Sequence, residues 1–345
     1  EKISSATGDK REFLGKGNIS SPDGLTAERL SDSVGAGYDP CAAIQIEIIL
    51  EPNKTKDIIY LLGMAEGKEE ADRLCEKYKQ TDNANEALNN VYKYWKGLQT
   101  IQVGTPDPTM NIMLNGWLLY QTISCRLWAR SAFYQSGGAF GFRDQLQDCL
   151  SIAAIYPELA KKQILKHAAH QFTEGDVLHW WHEPECKGTR TKITDDFLWL
   201  PYVTAEYIKI TGDEKILDIE IPFLSEEILK NYEDERYCKP KISEEKATLY
   251  EHCIRALENA MKFGIHGLPL IGTGDWNDGM NTVGNKGTGE SVWLGWFLST
   301  NLQKFSEICL LRNDGERAKR YLETSKNIVD AIEENGWDGK WYLRA

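Results

Sequence analysis

The hydrophobic period of this chain changes once, near residue 66, and that change limits its possible folds more than any other feature. Before it, Ala43-Ile44-Gln45-Ile46-Glu47-Ile48 alternates apolar and polar residues. Asp57-Ile58-Ile59-Tyr60-Leu61-Leu62 is a second β-rich run, with Pro52-Asn53-Lys54 as the turn between them. After it, helical spacing is predicted over Glu69 to Lys79 and Ala84 to Leu98, where Ala84, Leu88, Val91, Tyr92 and Trp95 share a face. Thr105-Pro106-Asp107-Pro108 stops that run, because proline cannot continue a helix. Beyond the break almost everything reads as helix, over 112–133, 144–155, 157–172, 195–211, 243–263, 290–311 and 315–334. Pro157 falls near a first turn and Gly212 at a C-cap. Strands and helices do not alternate, which disfavours a doubly wound sheet or a βα barrel. The expected layout is a toroid of paired helices whose linking loops build a site at one end.

At 345 residues the chain is long for one core, so a large domain with a smaller piece is expected. A net charge of −12 argues against nucleic acid as a partner. No apolar run reaches the roughly 18 residues of a membrane span. The start, Glu1-Lys2-Ile3-Ser4, has neither a signal-peptide core nor an initial Met, so the chain is expected to be a piece of something larger. Eight cysteines stand without a Cys-x-x-Cys pair, which indicates neither a zinc site nor a redox motif and reads as a reduced, cytoplasmic protein.

Eleven tryptophans and fifteen tyrosines exceed the needs of a core, and many stand beside charged residues. The strongest cluster is Gly274-Asp275-Trp276-Asn277-Asp278-Gly279-Met280-Asn281, two carboxylates and an indole in a glycine-bracketed loop. Carboxylates grip or protonate oxygens and an indole covers an apolar ring face, so the loop suits a sugar. A second cluster runs from Tyr134 to Gln145, where Gly137, Gly138 and Gly141 precede Arg143 and Asp144. Asp144 reads either as a helix cap or, with Arg143, as a partner for sugar hydroxyls. A third holds His179, Trp180, Trp181, His182, Glu183, Arg190, Asp195 and Asp196, with Arg190 and Asp196 as candidate substrate contacts. One of the paired aspartates is expected to cap the following helix. The i,i+3 histidine pairs, His167/His170 and His179/His182, lack the spacing and third ligand of a helical zinc motif. The fourth, Gly284 to Ser291, is a connector or an anion-receiving loop before a helix.

Cleaving a glycosidic bond needs an acid for the leaving oxygen and a nucleophile at the anomeric carbon. A hydrolase needs a second carboxylate, whereas inorganic phosphate brings its own charge. Several acids are available here, so their number does not choose between the two.

Five segments in order resemble glycoside hydrolase family 94. They are Asn115 to Gln121, Cys125 to Arg130, Gly141 to Asp148, Thr194 to Pro201 and Gly274 to Asn281. That family holds cellobiose, cellodextrin and chitobiose phosphorylases and the phosphorylase-like domain of cyclic β-1,2-glucan synthases. The resemblance implies a mainly α chain. Residues 1–65 would end a β-sandwich domain, 66–105 form a helical linker, and 106–345 an incomplete (α/α)6-barrel catalytic domain. It implies an inverting phosphorolysis of β-linked gluco-oligosaccharides to a sugar 1-phosphate, with inorganic phosphate as co-substrate and no cofactor or metal. Asp278 matches the general acid. Trp276, Arg143 and Asp144 match residues that hold the sugar, and Arg126 or Arg130 a further contact. Gly138 stands where cellobiose phosphorylases carry arginine, and with Arg11-Glu12-Phe13-Leu14-Gly15 and Tyr250-Glu251-His252-Cys253 this favours the β-1,2-glucan branch. Phosphate-site residues are expected beyond Ala345, and a homodimer or a larger polypeptide is the expected setting. Cellobiose- or chitobiose-type phosphorolysis and a glucan-binding regulatory domain are the alternative readings.

Overall fold

The computed structural model describes residues 3–130 and 137–345, and it divides into two units, 1–90 and 91–345. Phe133 to Ser136, at the end of one expected helix and the start of the glycine cluster, lie outside the described residues.

In the first unit β1 (Ile3–Asp9) pairs antiparallel with β2 (Pro40–Ile46), with Ala6 opposite Ile44 and Ile3 opposite Ile46. Asp9 ends β1 and caps the one-turn helix α1 (Lys10–Leu14) by accepting from the Arg11 amide at 2.9 Å. The run 57–62 is not a strand. Leu62 is fully exposed and no ladder partner for this run occurs among the described residues, and a strand without a partner has no hydrogen bonds to hold it. Two helices follow, α2 (Lys68–Tyr78) and α3 (Thr81–Leu98), and the boundary after Asn90 falls within α3.

The second unit carries the large core. Asp107 caps α4 (Pro108–Ile112), whose proline sits at the first position, and the helical path continues through wide i→i+5 turns over Met113–Trp117 and Gln121–Trp128, with α5 (Leu118–Tyr120) between them. The long helices are α6 (Phe142–Leu150), α7 (Pro157–Ala168), α8 (Trp199–Thr211), α9 (Leu249–Ala260), α10 (Val292–Leu311) and α11 (Gly315–Asn335). α8 ends at Gly212, whose φ of 72° is the left-handed cap that glycine adopts freely. α6 packs on α7 and α8, α8 on α10, and α10 along α11. Leu146, Ile164, Leu198, Leu257, Leu302, Phe305 and Ile332 lie in the buried cluster between them.

This unit is less helical than its sequence predicts. Four antiparallel strands run in the order β3 (Phe140–Gly141), β4 (Leu178–His182), β5 (Lys187–Thr191), β7 (Glu235–Cys238). β6 (Glu220–Ser225) pairs with β8 (Lys241–Thr248), so residues 243–248, expected to begin a helix, are strand. Helix starts only at Leu249, where Thr248 accepts from the Glu251 amide. Gly188 is required in β5, because a Cβ there would lie 2.1 Å from the Trp180 carbonyl oxygen. His167 and His170 serve this core: His170 stacks on Trp181 at 3.9 Å, and burial drops the two imidazoles to about 3 and about 4, so both are neutral. Among the described residues no helix is long and apolar enough to cross a membrane.

Candidate active site

Three segments converge on one cavity of about 470 Å³: the start of α6, strand β4 and the loop 274–281. Its walls include Arg143, Asp144 and Gln147 from α6, His179, Trp180 and His182 from β4, and Trp276 and Asp278 from the loop. The volume is that of an ordinary small-molecule site.

The loop is held from both sides. Thr194 donates its amide to the Gly274 carbonyl at 3.0 Å and its hydroxyl to that of Ile271 at 3.0 Å. Gly272, at a φ of +62°, makes the close turn, and a Cβ there would lie 2.0 Å from the Lys192 oxygen. Asp275 is fully buried and accepts from Ser291 Oγ at 2.7 Å, the Asn277 amide at 3.1 Å and Arg344. Burial opposes ionisation of Asp275, but the Arg344 and Ser291 hydrogen bonds hold it below the usual carboxylate range. Ser291 also caps α10 through the Leu294 amide, so the loop is fixed to a helix end. That is the observed work of the Gly284–Ser291 segment. Past Asp275 the chain leaves Trp276 about half exposed and turns into one 3₁₀ turn at Asp278, where Asn277 accepts from the Gly279 amide at 3.0 Å.

Arg143 lies at the centre of the charges. Its Nη2 donates to both oxygens of Asp278 at 2.9 and 3.1 Å, and its Nη1 to Asp195 at 3.2 Å and to the Asp275 carbonyl at 3.3 Å. Burial opposes the Arg143 charge, but Asp195, Asp196 and Asp278 more than offset it and raise its pKa. Asp195 is buried and also accepts from Trp199 Nε1 at 3.0 Å; burial and the adjacent Asp196 push its carboxyl up. Asp196, equally buried, accepts from His179 Nδ1 at 2.7 Å. Neither aspartate makes a cap hydrogen bond with its side chain. Asp144 lies in the first turn of α6 rather than at its cap, which is Gly141, and burial raises its pKa.

The sequence-expected residues therefore separate. Arg143, Asp144, Trp276 and Asp278 meet on the cavity, with Asp196 immediately behind it. Arg126 instead donates Nε to both Asp148 oxygens at 3.0 and 2.9 Å; burial, opposed by Arg126, lifts Asp148 to about 6. Arg130 donates to the Gly138 carbonyl at 2.8 Å and lies 4.1 Å over the Phe140 ring, which fixes the cavity rim at Gly137 and Ala139. Arg190 does not reach the cavity. Fully buried in β5, it binds Asp176 through two 2.7 Å hydrogen bonds, Glu174 at 2.9 Å and the Glu226 and Glu227 carbonyls, over the Phe172 ring. It cross-links the sheet to a neighbouring turn. Gln147 and Arg344 were not expected at the site, and His179 and Asp195 stood in the third sequence cluster without being singled out as substrate contacts. For His179 the available signal was a hairpin pattern, Gly175-Asp176 before a Val177-Leu178 start and Pro184 after it.

A half-exposed carboxylate, an exposed indole and the Arg143 guanidinium on one cavity suit a polyhydroxylated ligand whose bond is broken with proton donation. The model of the glycosyl hydrolase 94 superfamily catalytic domain matches residues 94–345, and that of the glycosyl hydrolase 94 supersandwich domain residues 1–81. The chain is 42% identical to the cyclic beta-(1,2)-glucan synthase NdvB of Rhizobium meliloti, over 99% of this chain and 12% of that protein. It is 29% identical to solabiose phosphorylase of Paenibacillus borealis, over 97% of this chain and 41% of that protein. It is 27% identical to N,N'-diacetylchitobiose phosphorylase of Vibrio proteolyticus, over 98% and 43%. The chain thus spans less than half the length of these relatives. With its catalytic-domain match over the helical unit and its supersandwich match before it, this chain belongs to the glycosyl hydrolase 94 superfamily.

Proposed function

We propose that this chain is the acid-bearing part of an inverting glycoside phosphorylase, acting on β-linked gluco-oligosaccharides to give a sugar 1-phosphate. Its helical unit is read as part of an (α/α)6 barrel, an assignment supported by the side-by-side packing of α6, α8 and α10. Asp278 donates a proton to the bridging oxygen while inorganic phosphate attacks the anomeric carbon from the opposite face, without a cofactor. Trp276 covers the sugar ring, and Arg143 and Asp144 bind its hydroxyls. The observation that carries this reading is the inequality of the cavity's carboxylates: Asp278 is half exposed, whereas Asp144 is largely buried beside Arg143. One accessible acid facing cations suits a nucleophile that brings its own negative charge, whereas a hydrolase needs two working carboxylates. The β-1,2 linkage is favoured by the glucan synthase relative. Eight cysteines without a disulfide support a reducing, cytoplasmic setting.

The test incubates the natural protein carrying this chain with β-1,2-glucose oligomers, with and without phosphate. Phosphate-dependent release of glucose 1-phosphate in the α configuration is expected. Release of free sugar without phosphate would indicate hydrolysis, and binding without release would indicate a glucan-binding domain of a larger synthase. Faster release from β-1,4 or chitobiose-type substrates would overturn the linkage.

A further inference from the structure

Among the described residues two cations reach Asp278, and the proposed function uses only Arg143. Arg143 occupies both carboxylate oxygens. The second is His179 on β4, whose Nε2 lies 3.9 Å from Asp278 Oδ2 on the wall of the same cavity. Its other nitrogen is already committed, since Nδ1 donates to buried Asp196 at 2.7 Å. That bond fixes the ring and leaves Nε2 as the nitrogen directed to Asp278. The adjacent aspartates 195 and 196 therefore hold one cation each, Arg143 and His179, and both cations point at a single carboxylate.

This arrangement has a consequence when a sugar enters. Arg143 cannot fork both Asp278 oxygens and bind sugar hydroxyls with the same Nη2. A ligand that takes Arg143 releases Asp278, whose remaining cation among the described residues is His179. We infer that His179 is the positioning residue for Asp278 in the occupied site: the imidazolium holds the acid after Arg143 turns to the sugar. The inference rests on the functional reading above. In the chemical step the Asp278 O–H bond breaks and an O–H bond forms on the bridging oxygen, while the bond from that oxygen to the anomeric carbon breaks and a phosphate oxygen bonds the same carbon from the opposite face. The carboxylate left behind accepts from His179 Nε2–H, and the imidazolium keeps both of its protons. Burial works against charge on His179, but the Asp196 and Asp278 carboxylates lift it to about 9, so Nε2 carries a proton at neutral pH. The other charged groups packed around the pair are Arg143 and Asp144 from α6 and Asp195 beside Asp196.

The experiment uses His179→Ala and His179→Gln in the natural protein, with phosphorolysis of β-1,2-glucose oligomers measured per folded molecule. His179→Ala is expected to lower kcat about 10- to 100-fold while KM stays within about two-fold, the pattern of lost support at the reacting group. His179→Gln, which restores a donor near Nε2, is expected to recover part of kcat. A histidine that only supports the fold would lower the folded fraction and leave kcat per folded molecule unchanged. Independently of turnover, histidine side-chain NMR in Asp278→Asn is expected to show the His179 titration midpoint falling, because one of its two carboxylates is gone. A wild type that releases no sugar phosphate overturns the functional reading and the inference with it. A wild type that does release it overturns the inference alone if His179→Ala matches its kcat or the His179 titration in Asp278→Asn is unmoved.

Discussion

Arg344 grips both oxygens of Asp275, the fully buried carboxylate of the loop that also presents Trp276 and Asp278. The pair joins residues 69 positions apart, and Ser291, which also contacts Arg344 at 3.2 Å, ties both to the start of α10. The loop's geometry is thus set by partners outside it.

Arg344→Ala should therefore loosen the site as well as the fold. Asp275 keeps Ser291 and the Asn277 amide, so the stability loss is expected at about 1–3 kcal/mol, the scale of a charged hydrogen bond removed from a buried acceptor. Urea unfolding measures the loss, and hydrogen exchange at the Asn277 amide should quicken more than at α11. Unchanged exchange there would show that Arg344 does not hold the loop.

His179 makes stability depend on alkaline pH. Its pKa is raised to about 9 in the folded protein, against about 6.5 when unfolded. The folded state binds the proton more tightly, so its contribution is fully present below about pH 6.5 and is lost as pH rises through about 9. The loss is expected to be on the order of 2 kcal/mol, allowing for partial solvent access. Denaturant titrations at pH 6 and pH 9.5 should show it in wild type and much less in Asp196→Asn. Equal slopes in the two proteins would contradict the pairing.

Much of the site was legible because its residues fit no core. Arg143, Asp144, Trp276 and Asp278 stand on glycine-flanked segments with charges and an indole that burial does not explain. The remainder depended on pairings far apart in sequence. Arg143 meets Asp278 across 135 positions, and only the fold brings His179 and Asp196 together. Arg190 looked like a ligand contact because it stands among aromatic and acidic residues, yet its carboxylate partners lie 14 and 16 residues upstream in a turn. Ser243-Glu244-Glu245-Lys246 has helix-forming composition, but pairing with β6 overrides local preference. In the same way the short strands β3, β4, β5 and β7 are stabilised by each other rather than by any period of their own.

Arg190 provides a control. Arg190→Ala leaves Asp176 and Glu174 without their cation and should cost about 3–5 kcal/mol, the scale for breaking a buried ion pair. Sugar affinity per folded molecule should stay unchanged, because Arg190 does not line the cavity. Calorimetric binding alongside unfolding curves separates the two, and a weakened sugar site in folded protein would return Arg190 to the substrate contacts.

Trp276→Ala should behave in the opposite way. The indole is half exposed, so stability should move by no more than about 0.5 kcal/mol. Removing an aromatic platform from a sugar is expected to weaken binding about 10-fold, on the scale of an aromatic contact. Isothermal titration with β-1,2-glucose oligomers reads this directly, and unaltered affinity would remove Trp276 from the sugar site.

The role proposed for Asp278 is that of proton donor. Its most direct test is glucose 1-phosphate release by Asp278→Asn in the natural protein, with unfolding measured on the same sample. The expected result is a fall of about 10²- to 10⁴-fold with folding intact, the range for loss of a general acid. Release at the wild-type rate by the folded variant would contradict the account.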